Sequence, residues 1–232
     1  MEWTTMDPRR CVVLVPCSGY LEPECGRGLN ELERRGYTVR VVTGYAAIDQ
    51  ARSQMATDAL QDGFESIMWI DSDIGFDADA VDLLLAHDLP LVCGIYVKKG
   101  VRELACHLKP GTENVLFGEG GGLLEIKYAA TGFLFTHRGV YEAIRMHEGL
   151  PWCNKQFGRV TVPYFLPMLL PEGNNHWYLG EDYAFCERAR RSGFQILADS
   201  RIRLNHIGRK GYSWEDAGSD QPRYASYNFR LT

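Results

Sequence analysis

Two carboxylates one residue apart, Asp71 and Asp73, follow the apolar run Ile67-Met68-Trp69-Ile70. Such a run reads as an interior strand. The period of two in extended chain directs Asp71 and Asp73 to the same side, where the strand leaves its sheet. Two like charges held that close repel unless a cation lies between them. Oxygen ligands of this kind suit Mg²⁺ or Mn²⁺, and Mg²⁺ commonly joins one or two carboxylates to substrate phosphates. The spacing predicts a divalent-metal site for a phosphorylated substrate.

A calcium loop competes with that reading, because Asp71, Asp73, Asp77 and Asp79 are dense. It fails in detail: Phe76 stands where the loop needs glycine, and Asp82 where it needs glutamate. Asp77 and Asp79 read instead as the cap and first turn of a helix, where negative charge meets the dipole. A haloacid-dehalogenase-like phosphatase also carries D-x-D after a strand. Its motif lies on the first strand and continues with Thr or Val, whereas here the motif is on the third strand and continues to Gly75.

A second acidic pair, Glu181-Asp182, opens a helical pattern that runs to Ser192. The preference of acidic residues for a first turn accounts for the pair on its own. His206, in Asn205-His206-Ile207-Gly208, lies beyond the next strand. An imidazole in a glycine-flanked loop downstream of two carboxylate sites is a candidate third metal ligand. Trp177 and Tyr178 lie just before Gly180-Glu181-Asp182 and can stack on a sugar at the acceptor side. Packing of the irregular half is the other reading for them, as for Trp152, Phe157, Tyr164 and Phe165. Arg201, Arg203, Arg209 and Lys210 read as a solvated group, with Arg209 or Lys210 placed to reach a diphosphate.

The elements that must position these residues alternate. Cys11–Val15 reads as a strand, followed by the loop Pro16-Cys17-Ser18-Gly19. A helix over Gly28–Arg35 is closed by Gly36, and Tyr37–Val42 is a second strand. Ala47–Asp62 is helical, with Ile48, Ala51, Met55 and Ala59 on one face, and Ser66–Ile70 is the third strand. A helix carrying Val81, Leu84 and Leu85 leads to the strand Leu91–Tyr96. This alternation predicts a largely parallel sheet with helices on both faces, which binds ligands at the carboxyl ends of its strands. Later, the glycines of 118–122 form a turn, Leu123–Tyr128 and Gly132–Thr136 read as strands, and Gly139–Met146 as a helix. Residues 152–177 show no period and read as a long loop of functional character. Gln195–Ala198 is a further strand.

The chain has 232 residues, 45% hydrophobic and 24% charged, which suits a single ordinary globular domain. A net charge of −5 gives no electrostatic reason to bind nucleic acid or an anionic membrane surface. No apolar run is long enough to span a bilayer, and residues 1–10 lack the apolar core of a signal peptide. Seven cysteines without C-x-x-C spacing argue against a disulfide framework or zinc ribbon and point to the cytoplasm.

In order and type these motifs resemble the GT-A (nucleotide-diphospho-sugar transferase) glycosyltransferases, and among them the inverting family 2-like enzymes. The resemblance spans residues 11 to 208. It rests on Val15-Pro16-Cys17-Ser18-Gly19, Ala51-Arg52-Ser53, Asp71-Ser72-Asp73, Thr131-Gly132-Phe133-Leu134-Phe135, Gly180-Glu181-Asp182 and His206. It implies an α/β, Rossmann-like fold with a nucleotide-binding half over about 11–100, a more irregular acceptor-binding half over about 101–210, and a tail over 211–232. It further implies a nucleotide-sugar donor, with Asp71, Asp73 and His206 holding Mn²⁺ or Mg²⁺ against the diphosphate. Ser72 lies between the two ligands, Arg52 would lie near the base or phosphates, and Pro16, Cys17 and Ser18 would line the nucleoside pocket. Asp182 would be the base, Glu181 would help hold a hydroxyl acceptor, and Gly132 would lie on the acceptor strand. Family frequency favours uridine over guanosine.

The chain departs from that pattern at Ser53, where the family usually has Asn, and it lacks the Q-x-x-R-W motif of processive synthases. Single-sugar transfer is therefore expected, and the resemblance implies inversion. A retaining GT-A enzyme, a nucleotidyltransferase and a non-catalytic sugar-nucleotide-binding module are the rivals. A nucleotidyltransferase would want a G-x-G-x-R loop after the first strand, which Cys17-Ser18-Gly19-Tyr20-Leu21 does not supply. The aromatic tail (Trp214, Tyr224, Tyr227, Phe229) can dock on the domain or on a second copy of the chain, which leaves a homo-oligomer open.

Overall fold

Strand β1 (Cys11–Pro16) is buried along its whole length, and its alternation feeds two separate cores. Val12 and Leu14 face one core, while Cys11, Val13 and Val15 face the other. The computed structural model describes residues 7–208, 211–217 and 222–231. After β1 come α1 (Pro23–Arg34), β2 (Thr38–Val42), α2 (Ile48–Gln61), β3 (Ser66–Ile70), β4 (Ile74–Gly75) and α3 (Asp79–Ala86). The middle of the chain forms β5 (Leu91–Gly94), β6 (Cys106–Leu108), β7 (Asn114–Gly118), β8 (Leu123–Ala129), β9 (Phe133–His137) and α4 (Arg138–Glu148). The remainder holds β10 (Met168–Glu172), β11 (Asn175–Leu179), α5 (Glu181–Arg191), β12 (Ile196–Asp199), β13 (Asn205–Ile207), β14 (Gly211–Tyr212) and β15 (Ser226–Arg230).

Eight strands make one sheet in the order β2-β1-β3-β9-β5-β12-β8-β6. Within it only β9 and β8 run against the rest. The fold class is thus the one expected: α/β, with a large, mainly parallel sheet. Helices cover both faces. Met55, Ala56 and Ala59 of α2, Tyr141 and Ile144 of α4, and Phe185 and Ala189 of α5 pack into one core. Leu29 and Leu32 of α1 join Val81 and Leu84 of α3 in the other. Burial of these apolar side chains is the main stabilising contribution. Helix α2 ends where the sequence indicates, since Gly63 adopts φ of 91°, a left-handed conformation that costs glycine little.

Antiparallel β9 lies between β3 and β5. Two expectations need correction. Residues 152–177 are not all loop: they include most of the β10–β11 hairpin, which turns over two residues, Gly173-Asn174. Ile48 does not sit on the buried face of α2 but is 42% exposed, while every residue from Ala51 to Thr57 is buried. The cause is the segment around 160–165, which wraps the outside of α2. Gln54 Nε2 donates to the Val160 carbonyl at 3.0 Å, Thr57 Oγ1 accepts from Val162 N at 2.9 Å, and Ser53 Oγ accepts from Phe165 N at 3.1 Å.

The tail docks in cis within its described residues. Strand β15 pairs antiparallel with β7, and Trp214 stacks on Phe117 at 5.3 Å. Arg203 pairs with Glu215, and Arg201 with Asp199, so both are structural ion pairs and not free solvated cations. Arg209 and Lys210 lie outside the described residues. Among the described residues no helix is long and apolar enough to cross a membrane.

Candidate active site

The end of β3 is fixed on several sides. Asp71 N donates to the Gly132 carbonyl at 3.0 Å, continuing the register that pairs Ile70 with Phe133. Ile74 N then closes a turn onto the Asp71 carbonyl at 3.0 Å, and the Asp73 carbonyl accepts from Ile207 N at 2.7 Å. Strand β4 pairs with β13 so that His206 stands opposite Ile74. This pairing returns His206 to the aspartate motif across a long stretch of chain.

His206 Nδ1 lies 2.8 Å from the Val97 carbonyl. A carbonyl only accepts, so Nδ1 carries the proton and Nε2 presents its lone pair to Asp73 Oδ1, 3.6 Å away. Burial lowers the imidazole pKa, which keeps the ring neutral near pH 7. A neutral imidazole oriented by a backbone carbonyl and facing a carboxylate fits a pair of metal donors. The other oxygen of Asp73 contacts Lys99 Nζ.

Asp71 has a different partner. Arg52 Nη2 donates to Asp71 Oδ1 at 2.7 Å, and Arg52 Nε lies 3.8 Å from Glu181 Oε1. The guanidinium rests over Trp69, 5.5 Å from the ring centroid. Burial alone would weaken this cation, but Asp71 and Glu181 together raise its pKa above the ordinary value. Arg52 Nε and Nη1 are buried without a hydrogen-bond partner, so charge and ring contact hold the group.

Gly132 has a steric reason to be glycine. A Cβ on Gly132 would fall 2.8 Å from Asp71 Oδ2 and still closer to the Tyr96 hydroxyl. Tyr96 is buried, and its hydroxyl accepts from Gly132 N at 3.0 Å. Burial, followed by the charges of Asp71 and Asp182, pushes its pKa far up, so Tyr96 stays a neutral phenol.

Helix α5 starts at Glu181, and Asp182 Oδ1 accepts from Tyr183 N at 2.7 Å. Burial, and then the neighbouring Glu181 charge, push the Asp182 pKa up to about 6. An aromatic stack sets the distance from this helix to the aspartate motif. Phe185 stacks on Phe165 at 4.5 Å, and Phe165 meets Trp69 edge-on at 5.3 Å. Trp69 is fixed in turn by donation from Nε1 to Tyr141 Oη at 2.8 Å.

One cleft of about 330 Å³ gathers Pro16, Cys17, Ser18, Arg52, Asp71, Ser72, Asp73 and Glu181, along with Tyr45 and Ile48. Every residue assigned from sequence to donor binding therefore lines a single space. Asp71, Asp73 and His206 do not close into a three-ligand cluster; among the described residues no three His, Cys, Asp or Glu side chains do so. Asp73 and His206 alone of the three face each other, at 3.6 Å. Trp177 is packed, with its ring 4.9 Å from His107 and 5.6 Å from Tyr128, while Tyr178 on the opposite face of β11 is 68% exposed. A larger groove of about 720 Å³ between α2 and α4 contains none of these acidic residues or His206.

Tyr96 and Lys99 belong to this site and were not singled out from sequence. Their signal was position: both follow β5 at its carboxyl end, the edge where such sheets bind ligands.

No protein-family model and no curated protein matches this chain. Solved structures do. The chain is similar to the crystal structure of A197 from STIV, with 15% identity, a TM-score of 0.56, and 89% of this chain and 91% of that one covered. It also aligns with GalNAc-T7 solved with UDP, GalNAc and Mn²⁺ (11% identity, TM-score 0.48, 86% of this chain and 44% of that one). A third alignment is to UDP-glucose pyrophosphorylase complexed with UDP-glucose (12% identity, TM-score 0.41, 84% of this chain and 92% of that one). The first establishes shared fold alone, and the other two superpose too loosely to carry an argument.

Proposed function

We propose that this chain is a GT-A-type glycosyltransferase that moves one sugar from a nucleotide diphosphate sugar to a hydroxyl of a carbohydrate or similar acceptor. The observation that carries the reading is Asp182, a carboxylate with its pKa raised to about 6 beside the cleft lined by Arg52, Asp71 and Glu181. A hydroxyl nucleophile needs a base, and a base serves best with a pKa near the working pH. The nucleophile of nucleotidyl transfer is a phosphate that is already anionic and needs no such group. Asp182 therefore favours glycosyl over nucleotidyl transfer.

In this reading Pro16, Cys17 and Ser18 line the nucleoside pocket, with uridine favoured over guanosine, and Arg52 keeps Asp71 oriented toward the donor. Asp73 and His206 would hold Mn²⁺ or Mg²⁺ together with donor phosphate oxygens. The cation, when bound, neutralises charge on the departing diphosphate. Asp182 takes the acceptor hydroxyl proton; the acceptor oxygen bonds to the anomeric carbon from the face opposite the breaking bond to phosphate, which inverts that carbon. Glu181 helps to position the acceptor, and the exposed ring of Tyr178 is offered to it. The seven cysteines are all unpaired, in keeping with a reducing compartment such as the cytoplasm.

A thermal-shift screen of nucleotide sugars with and without Mn²⁺ identifies the donor, since a specific ligand stabilises by mass action. Asp182→Asn should keep that stabilisation while losing transfer by two or more orders of magnitude (about 10²–10⁴-fold). Near-normal transfer by this variant, or release of pyrophosphate from a nucleoside triphosphate by the wild type, would overturn the reading.

A further inference from the structure

Asp73 is held on one oxygen by a cation of the protein itself, and its other oxygen faces the neutral His206 ring. Lys99 Nζ contacts Asp73 Oδ2, while His206 Nε2 faces Asp73 Oδ1 at 3.6 Å. Both contacts trace to one loop. Residues 97–104 form a short hairpin closed by the Val97–Leu104 bridge and by donation from Lys98 N to the Glu103 carbonyl at 2.9 Å. The base of this hairpin, through the Val97 carbonyl, orients His206, and its tip carries Lys99. The lysine stem passes over Gly208, where an added Cβ would lie 3.2 Å from Lys99 Cδ. Lys99 is about one-third exposed, so its ammonium can leave Asp73 without unpacking a core.

We propose that Lys99 is an exchangeable counter-ion that occupies Asp73 until a divalent cation takes its place, and that it then moves to the diphosphate of the donor. The proposal rests on the reading that Asp73 and His206 hold a divalent cation next to that diphosphate. An ammonium and a doubly charged ion on the two oxygens of one carboxylate repel strongly. Cation binding must therefore displace Lys99 into solvent, and it is weakened by the ion pair given up. A nucleotide diphosphate supplies the missing anion. The donor thus raises cation affinity in two ways, by its own oxygens and by accepting Lys99. By thermodynamic reciprocity the cation raises donor affinity by the same factor.

Binding alone tests this, with no transfer reaction. Free Mn²⁺ is titrated by electron paramagnetic resonance into wild type, Lys99→Met and Lys99→Arg, with and without uridine diphosphate. Lys99→Met should bind Mn²⁺ alone about tenfold more tightly than wild type, as expected for removing a competing charge at contact distance. The factor by which uridine diphosphate improves Mn²⁺ binding should shrink in that variant, and Lys99→Arg should behave as wild type. Lys99→Met binding Mn²⁺ alone no better than wild type would overturn the role of Lys99 and leave the cation site standing. Wild type that takes up no Mn²⁺ with or without the nucleotide would overturn the cation reading, and this proposal with it.

Discussion

Arg52 donates to Asp71 across 2.7 Å from a side chain that is only 4% exposed, so the inner aspartate of the motif is bound to the protein before any ligand arrives. The two aspartates are therefore unlike. Asp71 is tied inward to a buried cation, and Asp73 faces His206 and Lys99 at the rim. Removing the Arg52 charge would leave Asp71 and Glu181 as neighbouring carboxylates with no cation between them. Arg52→Met should cost about 2–4 kcal/mol in urea unfolding and abolish donor stabilisation in a thermal shift. A loss below about 0.5 kcal/mol, the range of ordinary surface changes, would show that the pair is not structural.

Gly132 lets Asp71 and Tyr96 approach the same point. Gly132→Ala should lower the melting temperature and reduce transfer more than tenfold, roughly the effect of a misplacement on the ångström scale. The clash is chiefly with a hydroxyl, so it can be relieved. Adding Tyr96→Phe to Gly132→Ala should recover part of the lost stability, although each change alone is destabilising. Strict additivity of the two losses would show that the contact is not the cause.

The aspartate motif was legible because a strand with a four-residue apolar run, a pair of carboxylates and a following helix cap are all local signals. Ser66–Ile70 and the start of α5 at Glu181 fall where the sequence put them, and the Asp77 side chain does accept from the first helical N–H, that of Asp79, at 3.2 Å. The order of strands was not legible, because nothing in Phe133–His137 states that it inserts between β3 and β5. Nor were β4 and β13, at two and three residues too short to show a period, although their pairing is what delivers His206. The β10–β11 hairpin had a usable signal in Gly173-Asn174, a common hairpin-turn dipeptide. Pro171 masked it, as a residue that argues against a strand. Ser53 shows the converse: the residue that departs from the pattern of the resembled family has a packing use, accepting from Phe165 N.

Glu215 closes the tail onto the domain. Its side chain is 1% exposed and receives Arg203 at 3.0 Å, Arg223 at 3.2 Å and Tyr224 N at 2.9 Å. Burial by itself would raise its pKa, but these donors bring it down to about 2. A depressed carboxylate contributes stability above its unfolded value, near pH 4.5, and that stability is lost as the pH falls toward 2. Glu215→Gln should destabilise the protein by about 2–3 kcal/mol at pH 7 and by much less at pH 3. Limited proteolysis at pH 7 should then cut first after Arg223 or Tyr224. Equal stability of the two forms at pH 7 would place the tail's anchorage in Trp214 and not in Glu215.

Asp182 makes the opposite trade. Its pKa is raised from 3.8 to about 6, so ionising it in the folded protein costs free energy that the unfolded chain does not spend. For a raised carboxylate the sign reverses: the protein is most stable below pH 3.8 on this group's account, and that advantage is lost as the pH rises through 6. Asp182→Asn keeps Oδ1 for Tyr183 N and removes the ionisation. It should therefore stabilise the protein above pH 6, by up to about 3 kcal/mol at pH 8, while having little effect at pH 4. Transfer by the wild type should rise with pH through an apparent pKa near 6, because only the carboxylate can accept the acceptor proton. The two measurements share one group, so the midpoint of the acid limb and the pH above which the stability curves of wild type and variant stop diverging should coincide. Curves that run parallel from pH 4 to 8 would show that Asp182 is ionised throughout, and the base would then have to be another group.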